Sequence, residues 1–99
     1  MKHISPEIFL EQLIRNDHLL LIDVREDHEH QLFNIGGLLI PLSELFQHVD
    51  QIPRDHELIF YCKMGIRSQI AIQRLEERFG FTNLVNLRGG LEALKKLKR

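Results

Sequence analysis

Leu58-Ile59-Phe60-Tyr61-Cys62-Lys63-Met64-Gly65-Ile66-Arg67-Ser68 is the stretch whose reading decides the fold. Leu58 to Tyr61 is an apolar run too short for an ordinary helix, and it reads as a strand buried on both faces. Cys62 stands at the end of that strand. Lys63 to Arg67 forms a tight loop that Gly65 allows to curl. A helix is expected from about Ser68 to Arg78, with Ile70, Ala71, Leu75 and Phe79 facing inward and Gly80 as its C-terminal cap.

Upstream, Ser5-Pro6-Glu7 carries a capping hydroxyl, a first-turn proline and an early carboxylate, so a helix should run to about Arg15 with Ile8, Phe9, Leu13 and Ile14 as its apolar residues. Asn16-Asp17-His18 breaks it. Leu19 to Val24 reads as a second buried strand, interrupted only by Asp23. Glu26 to Phe33 is expected as a short helix, Leu38 to Ile40 as a short strand, and Ser43 as the cap of another short helix. Downstream, Leu84 to Leu87 reads as a strand. Gly89-Gly90 then precedes an amphipathic helix from Leu91 to about Leu97, whose Lys95, Lys96, Lys98 and Arg99 suit a helix C-terminus. Strands alternating with helices imply an α/β domain with a central parallel sheet flanked by helices on both faces, a three-layer architecture.

With 99 residues, 43% of them hydrophobic and 27% charged, the chain fits one folded domain spanning 1–99. Lys and Arg number 13 against 14 Asp and Glu, so the basic footprint of a nucleic-acid binder is missing. No apolar run approaches the roughly 20 residues of a membrane helix. The first residues, MKHISPEIF, lack a signal-peptide pattern, so a cytoplasmic location is expected. A single cysteine allows no internal disulfide and no cysteine-rich zinc cage.

The chemistry is expected at Cys62. In open parallel sheets, sites lie beyond the carboxyl ends of strands. A loop running from there into a helix N-terminus places unpaired amides and a positive dipole end around the sulfur, favouring the reactive thiolate. Lys63 and Arg67 add positive charge, and Gly65 lets successive amides turn inward as an anion nest. A lone cysteine is otherwise usually a small buried hydrophobe, and both cations could be ordinary surface charges. It is the Cys-x-x-Gly-x-Arg spacing between strand and helix that favours a nucleophile. Asp23, inside an apolar run, needs a partner, with Arg25 or a loop amide as candidates. His28 and His30 are two apart and do not share a helix face, so a solvated surface is expected there and no metal site.

The segment from Cys62 to Ser68 resembles the active-site loop of the rhodanese (sulfurtransferase) family. Asp23-Val24-Arg25-Glu26 resembles that family's first motif. Ile35-Gly36-Gly37 with Ile40-Pro41-Leu42 resembles its central segment, and Asn83 to Gly90 its C-terminal motif. Asn34 stands where the family often has histidine, and Leu94 where tryptophan is common. The resemblance implies a double displacement in which Cys62 takes the outer sulfur of a donor, becomes a persulfide and passes that sulfur to an acceptor. It implies no metal or organic cofactor. Lys63, Met64, Gly65, Ile66, Arg67 and Ser68 would form the substrate-binding loop, with Arg67 orienting an anionic donor or bracing the loop and Asp23 and Arg25 supporting it. The partners implied are a small anionic donor such as thiosulfate, a persulfide donor or a sulfur-carrier protein, with no nucleic acid and no membrane. Four residues separate Cys62 from Arg67, one fewer than in the phosphatases that resemble rhodaneses, so the ring looks sized for a sulfur atom. A sulfur-relay or protein-binding module with little activity on thiosulfate is the alternative.

Overall fold

The computed structural model describes residues 1–16 and 18–97. Asp17, Lys98 and Arg99, read above as part of a helix break and as helix-end cations, lie outside them. Five parallel strands form one sheet: β1 (Lys2–Ile4), β2 (Leu20–Asp23), β3 (Leu38–Leu39), β4 (Leu58–Tyr61) and β5 (Leu84–Leu87), in the order β1-β5-β4-β2-β3. The four helices are α1 (Pro6–Arg15), α2 (Asp27–Leu32), α3 (Ile66–Phe79) and α4 (Gly90–Lys96), and a 3₁₀ segment covers Leu42–Gln51. This is the expected α/β arrangement, with β4 at its centre.

Alternation along the strands divides the core into two layers. Ile22, Leu58, Phe60 and Leu84 face α3 and the 3₁₀ segment, packing with Leu45, Ala71, Ile72 and Leu75. Leu21, Ile59, Tyr61, Val85 and Leu87 face the other way, against Phe9 of α1 and Leu91 of α4. Every residue of β4 and β5 is buried, as strands covered on both faces require.

Several local expectations are corrected. The strand β1 was not anticipated; it pairs with β5, Lys2 opposite Val85. In α1, Phe9 is buried but Ile8 and Ile14 are 50% and 79% exposed, so the helix uses a narrower face than its apolar residues imply. Ser43 caps nothing, because the 3₁₀ segment is entered from Pro41. The helix α3 starts at Ile66, not Ser68, with Gly65 as its N-cap residue, and its buried residues are Ser68, Ala71, Ile72 and Leu75 rather than Ile70.

Candidate functional site

Cys62 leaves the carboxyl end of β4, the central strand. Gly65 adopts a left-handed φ of 86° and turns the chain into α3. Its amide donates to Cys62 Sγ at 3.1 Å, and the amide of Ser68 donates to the same sulfur at 3.4 Å. These amides belong to the N-cap and third positions of α3, where no intrahelical acceptor exists. Cys62 Sγ therefore takes the place that a capping side chain fills in other helices. Gly65 and Ser68 are the positions, out of the expected Lys63–Ser68 ring, whose amides reach the sulfur. The cysteine is closely packed, with 1% of its surface exposed.

Behind the sulfur lies a buried polar chain. Ser68 Oγ sits 3.4 Å from Sγ and donates to Asn86 Oδ1, and Asn86 Nδ2 lies 3.1 Å from His3 Nδ1. Ser68 and Asn86 are fully buried. Sequence reasoning missed Asn86, although one amide inside the apolar run Leu84–Leu87 is the same signal that singled out Asp23.

The loop is also held from α4. The amides of Leu91 and Glu92 donate to the carbonyls of Cys62 (3.0 Å) and Lys63 (2.9 Å). That approach needs Gly90, where a Cβ would stand 2.5 Å from the Cys62 carbonyl oxygen.

Arg67 does not stand free for a donor. Its guanidinium makes a two-point pair with Glu29 of α2, at 2.7 and 3.0 Å. The hydrogen bond from Arg67 holds the Glu29 carboxyl down at about 2, and the same pairing raises the Arg67 pKa. Asp23 and Arg25 adjoin the start of the loop at Tyr61, Asp23 as its strand partner and Arg25 with its guanidinium 5.7 Å from the Tyr61 ring centre, and they also brace α2. Asp23 is fully buried and accepts from the Arg25 backbone amide and guanidinium, while Arg25 also donates to the carbonyl of Phe33 just beyond α2. His30 Nδ1 lies 2.7 Å from Asp23 Oδ2, so His30, expected on a solvated surface, is instead part of this brace; His28 is exposed. Burial alone would raise the Asp23 pKa, but the hydrogen bonds from Arg25 and His30 outweigh it and leave it lowered. Glu29 and His30 were not anticipated as members of this network.

Lys63, Met64 and Ile66 point outward, with Met64 59% and Ile66 62% exposed. Among the described residues no group of three or more His, Cys, Asp or Glu is placed to hold a metal ion. A separate apolar cleft of about 250 Å³, lined by Phe9, Leu13, Phe33, Ile35 and Leu94 among others, includes none of the residues Cys62 to Ser68.

A parallel α/β sheet with a cysteine cradled between its central strand and the next helix defines a class of domain. The family model for the rhodanese-like domain matches residues 5–97, and the chain belongs to that family, as its motifs imply. The chain is 34% identical over 96 residues to the probable adenylyltransferase/sulfurtransferase MoeZ of Mycobacterium tuberculosis, a match covering 94% of this chain and 24% of that protein. It is 29% identical to the putative sulfur carrier protein YrkF of Bacillus subtilis, covering 89% of this chain and 48% of the relative. It thus spans about a quarter and about half of these relatives. Among solved structures, a rhodanese-like domain protein from Staphylococcus aureus superposes with a TM-score of 0.84 at 25% identity, covering 95% of this chain and 91% of that one. No helix among the described residues is long and apolar enough to cross a membrane.

Proposed function

We propose that this chain is a sulfurtransferase that moves a sulfane sulfur from thiosulfate or a persulfide donor to a thiol or to cyanide, through a persulfide on Cys62. The observation that carries the reading is the pair of amides, Gly65 and Ser68, aimed at one sulfur at the end of the central strand. Fixed donors of this kind stabilise a sulfur anion without having to reorganise during the reaction.

In the first half-reaction the Cys62 thiolate attacks the outer sulfur of thiosulfate. A new S–S bond forms, the bond to the sulfonate sulfur breaks, and sulfite leaves with the electron pair. A persulfide donor gives the same Cys62 persulfide and releases its thiol. In the second half-reaction the acceptor attacks the terminal sulfur; cyanide leaves as thiocyanate and the Cys62 thiolate is restored. Glu29, through Arg67, keeps the first turn of α3 in place during both steps. No disulfide partner for Cys62 exists within the chain, and a thiol cycle of this kind suits the reducing cytoplasm.

The test is incubation with thiosulfate and cyanide, reading thiocyanate, together with intact-mass measurement after treatment with donor alone. The wild type should turn over and Cys62→Ala should not. A mass gain of one sulfur should localise to Cys62. Equal turnover by Cys62→Ala, or no sulfur on Cys62 from any donor, overturns the reading.

A further inference from the structure

We infer that His3 and Asn86 are positioning residues for Cys62, and that the charge on His3 decides, through the Asn86 amide, whether the Ser68 hydroxyl accepts from the Cys62 thiol or donates to its thiolate. The inference rests on the sulfur-transfer reading above in that a thiolate is the attacking species. Each member of the buried chain constrains the next. Asn86 Nδ2 carries only hydrogens toward its partners, so it donates to His3 Nδ1 across 3.1 Å, and neutral His3 keeps its proton on Nε2. Asn86 Oδ1 accepts from the Ser68 hydroxyl, which has one proton to give. Toward Cys62 Sγ, 3.4 Å away, Ser68 Oγ therefore turns its lone pairs. These accept from a thiol and repel a thiolate.

A proton taken from solvent at His3 Nδ1 reverses the chain. Both ring nitrogens are then donors, and Asn86 must turn its Oδ1 to the ring. Nδ2 now donates to Ser68 Oγ, and the Ser68 proton is released from Asn86 and swings to Sγ. The thiolate thereby gains a third donor beside the amides of Gly65 and Ser68. Only an amide and a hydroxyl rotate, and both stay hydrogen-bonded, as buried groups require. Ser68 and Asn86 are fully buried, whereas His3 is half-buried on the edge strand β1, opposite Asn86 in register. The charged groups lining a cleft with His3 are Lys2, Glu57 and Arg88, of which Lys2 and Glu57 pair with each other at 2.6 Å. The helix α1 turns the uncharged Ile8 and Gln12 to that cleft, and α3 meets Asn86 with the uncharged Ser68.

The experiment reads the ratio of thiolate to thiol at Cys62 by ultraviolet absorbance on the full chain. Cys62 is the only cysteine, and burial pushes the hydroxyl of Tyr61, the only tyrosine, up to about 12, so the thiolate signal is its own. At a pH where the ring signals in NMR show wild-type His3 neutral, His3→Lys offers Asn86 a permanent donor. It should raise the ratio about tenfold, the scale of one hydrogen bond to a charged group. In a Ser68→Ala background, which keeps the amide and loses the hydroxyl, most of that rise should vanish. No rise, or the same rise with and without the hydroxyl, overturns the inference. A second measurement uses the reciprocity of coupled sites. At a pH where Cys62 is ionised, the ratio of charged to neutral His3 should be about tenfold higher in the wild type than in Cys62→Ala. A difference of about twofold or less, as two charges acting only through water would give, overturns the inference, and decides alone should Ser68→Ala not fold. Neither measurement involves sulfur transfer, so their failure leaves that reading standing. Absence of persulfide from every donor refutes that reading without altering either ratio.

Discussion

The hydroxyl of Ser68 donates to Asn86 Oδ1, so the residue whose amide holds the Cys62 sulfur is fastened to the centre of β5. Both side chains are fully buried, and neither has water to fall back on. Asn86→Leu leaves the Ser68 hydroxyl without its acceptor and should cost about 1–3 kcal/mol. For a domain of this size each kcal/mol lowers the melting temperature by roughly 4–8 °C. Adding Ser68→Ala removes the stranded hydroxyl, so the double variant should lose less than the sum of the two single changes. Strict additivity in thermal melts would show that the two groups are not coupled.

Acid should weaken the brace around the loop in a defined direction. The Arg67 hydrogen bond brings the Glu29 carboxyl from its ordinary 4.5 to about 2. A lowered carboxyl contributes stability that is complete above the unfolded pKa and is lost as pH falls through the folded one. Asp23 is lowered as well and acts with the same sign. Wild-type stability should therefore fall from near pH 4.5 down toward pH 2. Glu29→Gln should lower stability at neutral pH by about 1 kcal/mol, since the pair is partly exposed. Its urea midpoints should approach those of the wild type as acid is added. A gap that stays constant with pH would mean the ion pair contributes nothing.

Glycines of similar backbone shape should respond differently to alanine. At Gly90, φ is +62° and a Cβ would meet the carbonyl oxygens of Cys62 and Lys63 at 2.5 and 2.6 Å. At Gly36, φ is +98° but no atom lies within 4 Å of the added carbon. Gly36→Ala should show only backbone strain, about 1 kcal/mol. Gly90→Ala must also separate α4 from the cysteine loop, so its loss in denaturant titration should be at least twice as large. Similar losses at the two positions would place no weight on the α4 contact.

The strands that frame the site were legible because burial on both faces leaves a plain apolar run, as in Leu58–Tyr61 and Leu84–Leu87. Strand β1 was not, since three residues are too few to show a period and its partner β5 lies at the far end of the chain. The start of α3 was read two residues late because its first turn puts Ile66 in solvent, away from the pattern that marks the inner face. Cys62 and its loop could be singled out from local spacing. Glu29 could not, because its charge has meaning only once Arg67, 38 residues away in sequence, is folded against it. Asp23 and Asn86 show the intermediate case: a polar residue in an apolar run announces that a partner exists, but not which one.

Gly65 and Gly89 press so closely that a methyl on the first would stand 2.9 Å from the peptide nitrogen of the second. Two bends distant in sequence thus share a single niche: the second keeps the first bare, while the second is itself kept bare by Ala93, whose Cβ would stand 2.6 Å from an added methyl. The outward-facing loop side chains have room to be remodelled, whereas a side chain added at either bend meets a neighbour at once, so the rim of the site is open to variation and the cradle beneath it is not.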